Sequence, residues 1–172
     1  MSSIIVTPLS ALESTIRDRR PSHVVTLLSP EHMIETPAGF PRDHHLRLGV
    51  NDIIDPNMGD APPAQDHVTR LLEFARGWSG EEPMLIHCWA GISRSWASAF
   101  IVLTDRMGRG SEMHIARAIR QRAPHAWPNA LLIQHADEML GRQGRMIEAI
   151  RNIGAGDIAS EGRVVELPVF GL

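Results

Sequence analysis

The sequence predicts an α/β fold: a central, mostly parallel sheet of four to five strands flanked by helices, followed by a helical C-terminal half. Three observations predict it. Short apolar or β-branched runs alternate with helix-period stripes as far as residue 107. The runs at 24–28 and 84–86 carry no clear alternation, the pattern of strands covered on both faces. From residue 111 to Gly154 the periodicity is helical alone.

Residues 4–7 open the chain as a β-branched strand. Leu9, Leu12 and Ile16 share one helical face over 8–20, and Pro21 ends that helix. Residues 24–28 form the second strand. Prolines and a glycine make 29–43 irregular. Leu46, Leu48 and Val50 fall on one side of a third strand over 45–50. The polar stretch 51–65 carries Pro56, Gly59, Pro62 and Pro63 and reads as a loop. Val68, Leu71, Leu72 and Ala75 then repeat at helical spacing over 66–78. The strand at 84–86 runs into His87 and Cys88, and 93–107 is a helix apolar nearly all round, hence buried. Further helices cover 111–122, 129–140 and 142–153, the last two closed by Gly141 and Gly154. One domain is expected over 1–154. The remainder, 155–172, is a tail that packs on it or adds an edge strand at 164–169.

Composition narrows the function classes. The 172 residues hold 17 Lys+Arg against 20 Asp+Glu, a formal charge of −3, which argues against a broad basic face for nucleic acid. Every basic residue is Arg, so Schiff-base chemistry and a lysine-type nucleotide loop are excluded. The single cysteine, Cys88, excludes an intrachain disulfide and a Cys-rich metal site. His44 and His45 have no partner at ligand spacing and read as a solvated pair, so neither metal nor cofactor is expected. No basic leader and no bilayer-length apolar run are visible. The expectation is a soluble cytoplasmic protein with a reduced thiol and neither membrane nor nucleic acid as partner.

The chemistry is concentrated in Met84-Leu-Ile-His-Cys-Trp-Ala-Gly-Ile-Ser-Arg-Ser95. A strand ends at Cys88, a short loop of Trp89, Ala90, Gly91, Ile92 and Ser93 follows, and Arg94 opens a helix. Backbone N–H groups in a tight loop at a helix N-terminus form a cradle for anions. Gly91 permits a close approach or an unusual φ. Arg94 offers a planar fork for two oxygens of a phosphoryl group. Cys88 lies at the floor of this cradle, where helix dipole, amides and guanidinium all favour the thiolate.

His-Cys-x-x-Gly-x-x-Arg-Ser resembles the signature loop of the cysteine-dependent protein tyrosine phosphatases. Ala90-Gly-Ile-Ser-Arg-Ser95 is similar to their dual-specificity branch. The likeness extends to the opening strand–helix–strand (4–28), to Leu48-Gly-Val-Asn-Asp52 and to Trp127-Pro-Asn-Ala-Leu-Leu-Ile-Gln134, covering roughly residues 3–140. The resemblance implies a phosphatase of phosphotyrosine, or of phosphoserine and phosphothreonine, working through a phosphocysteine on Cys88 without metal. It implies that Arg94 and the amides from Trp89 to Arg94 bind the phosphate, with phosphate or sulfate able to occupy the loop. By the same resemblance Ser95 assists departure of the sulfur, His87 sets the loop, and a carboxylic acid protonates the leaving group.

Asp52, Asp55 and Asp60 are the candidate acids. Asp52 is favoured because it directly follows the Leu48-Gly-Val run, where the family places its acid; an insertion in the loop keeps the other two open. Trp89 after the nucleophile and Trp96 in the helix depart from the family pattern, and the absence of Lys from the signature loop, where phosphoinositide-directed relatives carry basic residues, demotes lipid phosphates as substrates. A non-catalytic phosphate-binding module is the alternative, with a sulfurtransferase or arsenate-reductase chemistry behind it. The substrate partner is a phosphorylated protein or a small phosphate ester.

Overall fold

The computed structural model describes residues 2–171. Its strands are β1 (Ser3–Pro8), β2 (His23–Leu28), β3 (His45–Gly49), β4 (Met84–Cys88) and β5 (Val165–Pro168), in the order β3-β2-β4-β1-β5. β1 to β4 run parallel, and β5 lies antiparallel on the edge of β1. The helices are α1 (Leu12–Arg19), α2 (Gln65–Gly77), α3 (Arg94–Met107), α4 (Glu112–Arg122), α5 (Ala130–Met139) and α6 (Arg145–Ile153). This is the α/β class read from the sequence, with five strands.

Period-two alternation divides the sheet between two cores. Ile4, Val6, Val25, Leu27, Met84 and Ile86 face a large core that includes Val68 of α2, Trp78 just after it and Phe100 of α3. Val24 and Leu85 face the other side, under Leu12 of α1 and the partly buried Ile34 and Phe40. β2 and β4 are central and covered on both faces, which explains their lack of polar alternation.

Two helices start later than their periodicity implies. Pro8 finishes β1, and Leu9 donates its N–H to Trp89, so a short turn precedes α1. Arg142 is held outside α6 by a buried pair with Glu112 at 2.9 Å. Gly144 takes φ +83°, and Asp137 receives the N–H groups of Gly144 and Met146 at the new helix start. Among the described residues no helix is long and apolar enough to cross a membrane, and no group of three or more His, Cys, Asp or Glu is placed to hold a metal.

The carboxyl ends of the four parallel strands lie together, the usual place for a ligand in such a sheet. Cys88 ends β4 beside Pro8 of β1, His87 pairs in register with Thr26 of β2, and Val50 leaves β3 on the same edge.

Candidate active site

Residues 89–93 connect β4 to the 14-residue helix α3. Each of their carbonyls is held by a donor from another segment. Leu9 N–H donates to Trp89 (3.1 Å), Gly162 N–H to Ala90 (2.7 Å), the Trp96 indole N–H to Gly91 (3.0 Å) and Trp127 N–H to Ile92 (2.9 Å). Ser93 C=O accepts from Ala97 at 3.0 Å and Asn129 at 3.3 Å. A trans peptide unit is planar, so C=O and N–H point in opposite directions. Tying the carbonyls outward therefore turns the amides of Ala90, Gly91, Ile92, Ser93 and Arg94 toward the concave side. The result is an anion nest at a helix N-terminus.

Two glycines let this loop seat. Gly91 has φ +67°, and a Cβ there would meet Pro8 N at 2.7 Å. A Cβ on Gly162 would meet Gly91 O at 2.5 Å and the His125 ring at 2.7 Å. The loop is thus clamped between the end of β1 and the C-terminal segment, whose Glu161 also accepts from Ser10. Trp96, a departure from the family pattern, is fully buried and supplies one of the five clamps. Gly162→Ala is expected to displace this clamp and weaken competitive inhibition by inorganic phosphate roughly tenfold or more. A measured inhibition constant equal to that of the parent refutes the clamp.

Cys88 sits deep, 1% exposed, with Sγ 3.2 Å from the Ser95 hydroxyl. Arg94 is 6% exposed and anchored through one guanidinium N–H to the Val50 carbonyl at 2.8 Å. Its buried Nε has no hydrogen-bond partner within the protein. An unpaired buried donor carries a desolvation cost that an anion in the nest would relieve.

Of the three candidate acids, Asp52 is the one brought to Arg94, with Oδ2 at 3.9 Å from Nε. Its Oδ1 accepts from the Ser93 hydroxyl at 2.7 Å and from the Asn129 amide at 2.9 Å. Asn129 also donates to Ile53 C=O and accepts from Leu131 and Leu132, so one side chain ties the acid-bearing loop to the start of α5. Asp55 instead caps the turn at Asn57, and Asp60 is exposed on the loop. Asn51 explains how the insertion is absorbed. Its backbone and side chain bond Ala61 at 2.7 and 2.9 Å, and its amide reaches Ser29. Residues 53–60 loop out from this closure, and Asp52 stays beside it, shortly after the end of β3.

His87 is fully buried and its surroundings correct one expectation. His45 is not a solvated histidine: it is 6% exposed and belongs to a buried chain on the α1 face of the sheet. Burial lowers both imidazoles to about 4, so both are neutral near pH 7. A carbonyl can only accept, so His87 Nδ1–H donates to Cys88 C=O (3.3 Å) and Nε2 accepts from Thr26 (2.7 Å). The Thr26 hydroxyl then accepts from His45 Nε2–H (2.8 Å), and His45 Nδ1 accepts from Thr36 (3.0 Å). One consistent set of proton positions runs from Thr36 to the backbone of Cys88.

That chain has a pH signature. In the unfolded chain an imidazole titrates near 6.5, above the folded value of about 4 for both residues. Between these values the unfolded state binds protons that the folded state refuses. Stability is therefore full above pH 6.5 and falls as the pH drops toward 4, by ~1.4 kcal/mol per pH unit for each proton. In urea unfolding, His45→Gln is expected to lose about one proton's share of that slope. An unchanged slope contradicts the buried neutral assignment.

Beside Arg94, a cavity of about 160 Å³ is lined by Leu28, Ser29, His32 and Trp89. Trp89 is half exposed and meets the His32 ring edge-on at 5.3 Å. The sequence-derived residues Cys88, Arg94, Ser95, Asp52 and His87 thus lie around one loop. Thr26, His45, Asn51, Trp96 and Gly162 join them without having been singled out for it.

No protein-family model matches the chain, and no curated protein does. Solved structures do. The chain is similar to the crystal structure of DUSP15, at 19% identity and a TM-score of 0.59, over 89% of this chain and 91% of that one. It is similar to PTPMT1 in complex with PI(5)P, at 17% identity and 0.59, over 87% and 96%. It is also similar to OH1 from the Orf virus, described as a tyrosine phosphatase with triple substrate specificity, at 18% identity and 0.57, over 81% and 83%. The chain therefore has the fold of the small dual-specificity and tyrosine phosphatases.

Proposed function

We propose that the protein is a cysteine-dependent phosphatase that hydrolyses phosphate monoesters, phosphotyrosine in proteins foremost. The observation that carries the reading is the nest itself: five outward carbonyls around Cys88, closed on one side by an Arg94 whose Nε has no hydrogen-bond partner in the protein. A tetrahedral dianion fits that set of donors, and the fold shared with DUSP15 and OH1 agrees with it.

In the first step the Cys88 thiolate attacks phosphorus, the bond to the ester oxygen breaks, and Asp52 gives its proton to that oxygen. The phosphoryl group then rests on sulfur while Arg94 and the loop amides hold its oxygens. In the second step water attacks phosphorus, the Asp52 carboxylate takes its proton, and the sulfur leaves as thiolate. The Ser95 hydroxyl, 3.2 Å from Sγ, donates to the departing sulfur. His87 is a positioning residue, holding the Cys88 carbonyl from behind.

The test is release of inorganic phosphate from phosphotyrosine, phosphoserine, small esters and, because PTPMT1 was solved with PI(5)P, a phosphoinositide. Cys88→Ser serves as the blank. Release from phosphotyrosine above that blank is expected; no release from any substrate overturns the reading.

A further inference from the structure

A second, larger groove of about 700 Å³ opens beside the nest, between the acid-bearing loop and the start of α5. Ile54, Met58 and Trp127 line it, exposed by 70%, 73% and 54%. Large apolar side chains gathered on one cavity mark a site that something apolar covers. Asp52 and Ser93 belong to its wall, and Asp52 also lies 3.9 Å from Arg94, so the groove adjoins the site described above.

We propose that this groove receives a large apolar residue flanking the phosphotyrosine of a peptide substrate, and so sets the sequence preference of the enzyme. The inference rests on the phosphatase reading and extends it to substrate class. Two arguments select this occupant. The ester oxygen must come within hydrogen-bond reach of Asp52 to be protonated, so the chain that bears it passes the groove's edge. The ionisable side chains on the groove wall, Asp52 and Asp55, are both acidic, and no Arg or His lines it. An acidic flanking residue, a second phosphate or an anionic membrane surface would find repulsion there, whereas an uncharged apolar side chain finds apolar walls.

The experiment compares two phosphotyrosine peptides of equal length, one flanked by Leu and Phe, the other by Glu, with p-nitrophenyl phosphate as the small control. The parent enzyme is expected to favour the apolar peptide in kcat/KM by roughly tenfold, the value of burying about one side chain. The double variant Ile54→Ser, Met58→Ser removes exposed groove side chains outside the catalytic set. It is expected to reduce that preference severalfold through KM, the part due to Asp52 and Asp55 remaining, while turnover of p-nitrophenyl phosphate is retained. Equal kcat/KM for the two peptides in the parent enzyme overturns the inference alone. So does a variant that loses p-nitrophenyl phosphate turnover in step with the peptide, or faster turnover of a phosphoinositide in anionic vesicles than of either peptide. Failure to hydrolyse any of these substrates overturns the phosphatase reading and this inference with it.

Discussion

Cys88→Ser is expected to lower turnover of an aryl phosphate by ~10⁴-fold or more, while inorganic phosphate still binds with an affinity close to that of the parent. The two halves of this expectation come from different atoms. In the proposed mechanism anion binding belongs to the loop amides and to Arg94, whose positions are fixed by Leu9, Gly162, Trp96, Trp127, Asn129 and the Val50 carbonyl. None of those bonds involves the sulfur. In the same mechanism nucleophilic attack is assigned to Sγ alone: a serine hydroxyl at the same place stays protonated at neutral pH and has no base beside it. His87 cannot serve as that base, because its Nε2 already accepts from Thr26 and its Nδ1 points to the Cys88 carbonyl. Calorimetric titration with phosphate beside an assay of phosphate release separates the halves. Full activity in the variant refutes the covalent mechanism, and binding lost with the fold intact refutes the assignment of the nest to backbone and arginine.

Much of this molecule was legible because its signals are local. The strand, tight turn and helix around Cys88 follow from consecutive residues: apolar strand, glycine with positive φ, arginine at the first helical turn. The central strands announced themselves by lacking polar alternation. Signals that depend on cross-strand register were invisible. His45 looks like half of a polar pair, yet its pairing beside Val24 brings the imidazole to the Thr26 hydroxyl, and only the folded sheet turns it inward. The choice of acid was open because chain distance to Cys88 counts inserted residues, whereas the Asn51 to Ala61 bonds remove them from the spatial path. Trp96 read as a misfit because size alone is visible in sequence; the use of its indole N–H to hold the Gly91 carbonyl is not. The segment before β5 has no periodicity to read. Its direct contribution to the loop is the Gly162 N–H donated to Ala90 and the room left by the absent Gly162 Cβ.

Asp52→Asn is expected to slow hydrolysis of phenyl and alkyl phosphates by about 10²–10⁴-fold, and of esters with an activated leaving group such as 2,4-dinitrophenyl phosphate far less. Asparagine is isosteric and can still accept from Ser93 and Asn129, so the loop keeps its tie to α5. What it lacks is a transferable proton. An alkoxide or phenoxide leaves badly unless protonated as the bond to phosphorus breaks, whereas a strongly stabilised phenoxide leaves without help. The loss therefore grows with the basicity of the leaving group, a dependence that general distortion of the site would not produce. Asp55→Asn and Asp60→Asn are the controls. Asp55 already serves the turn at Asn57 and Asp60 lies exposed on the bulged loop, so neither is expected to alter the leaving-group dependence. A plot of log kcat/KM against leaving-group pKa, which reports the step in which the leaving group departs, decides between them. A slope in Asp52→Asn equal to that of the parent refutes Asp52 as the acid, and a steepened slope in either control reassigns the proton to that residue.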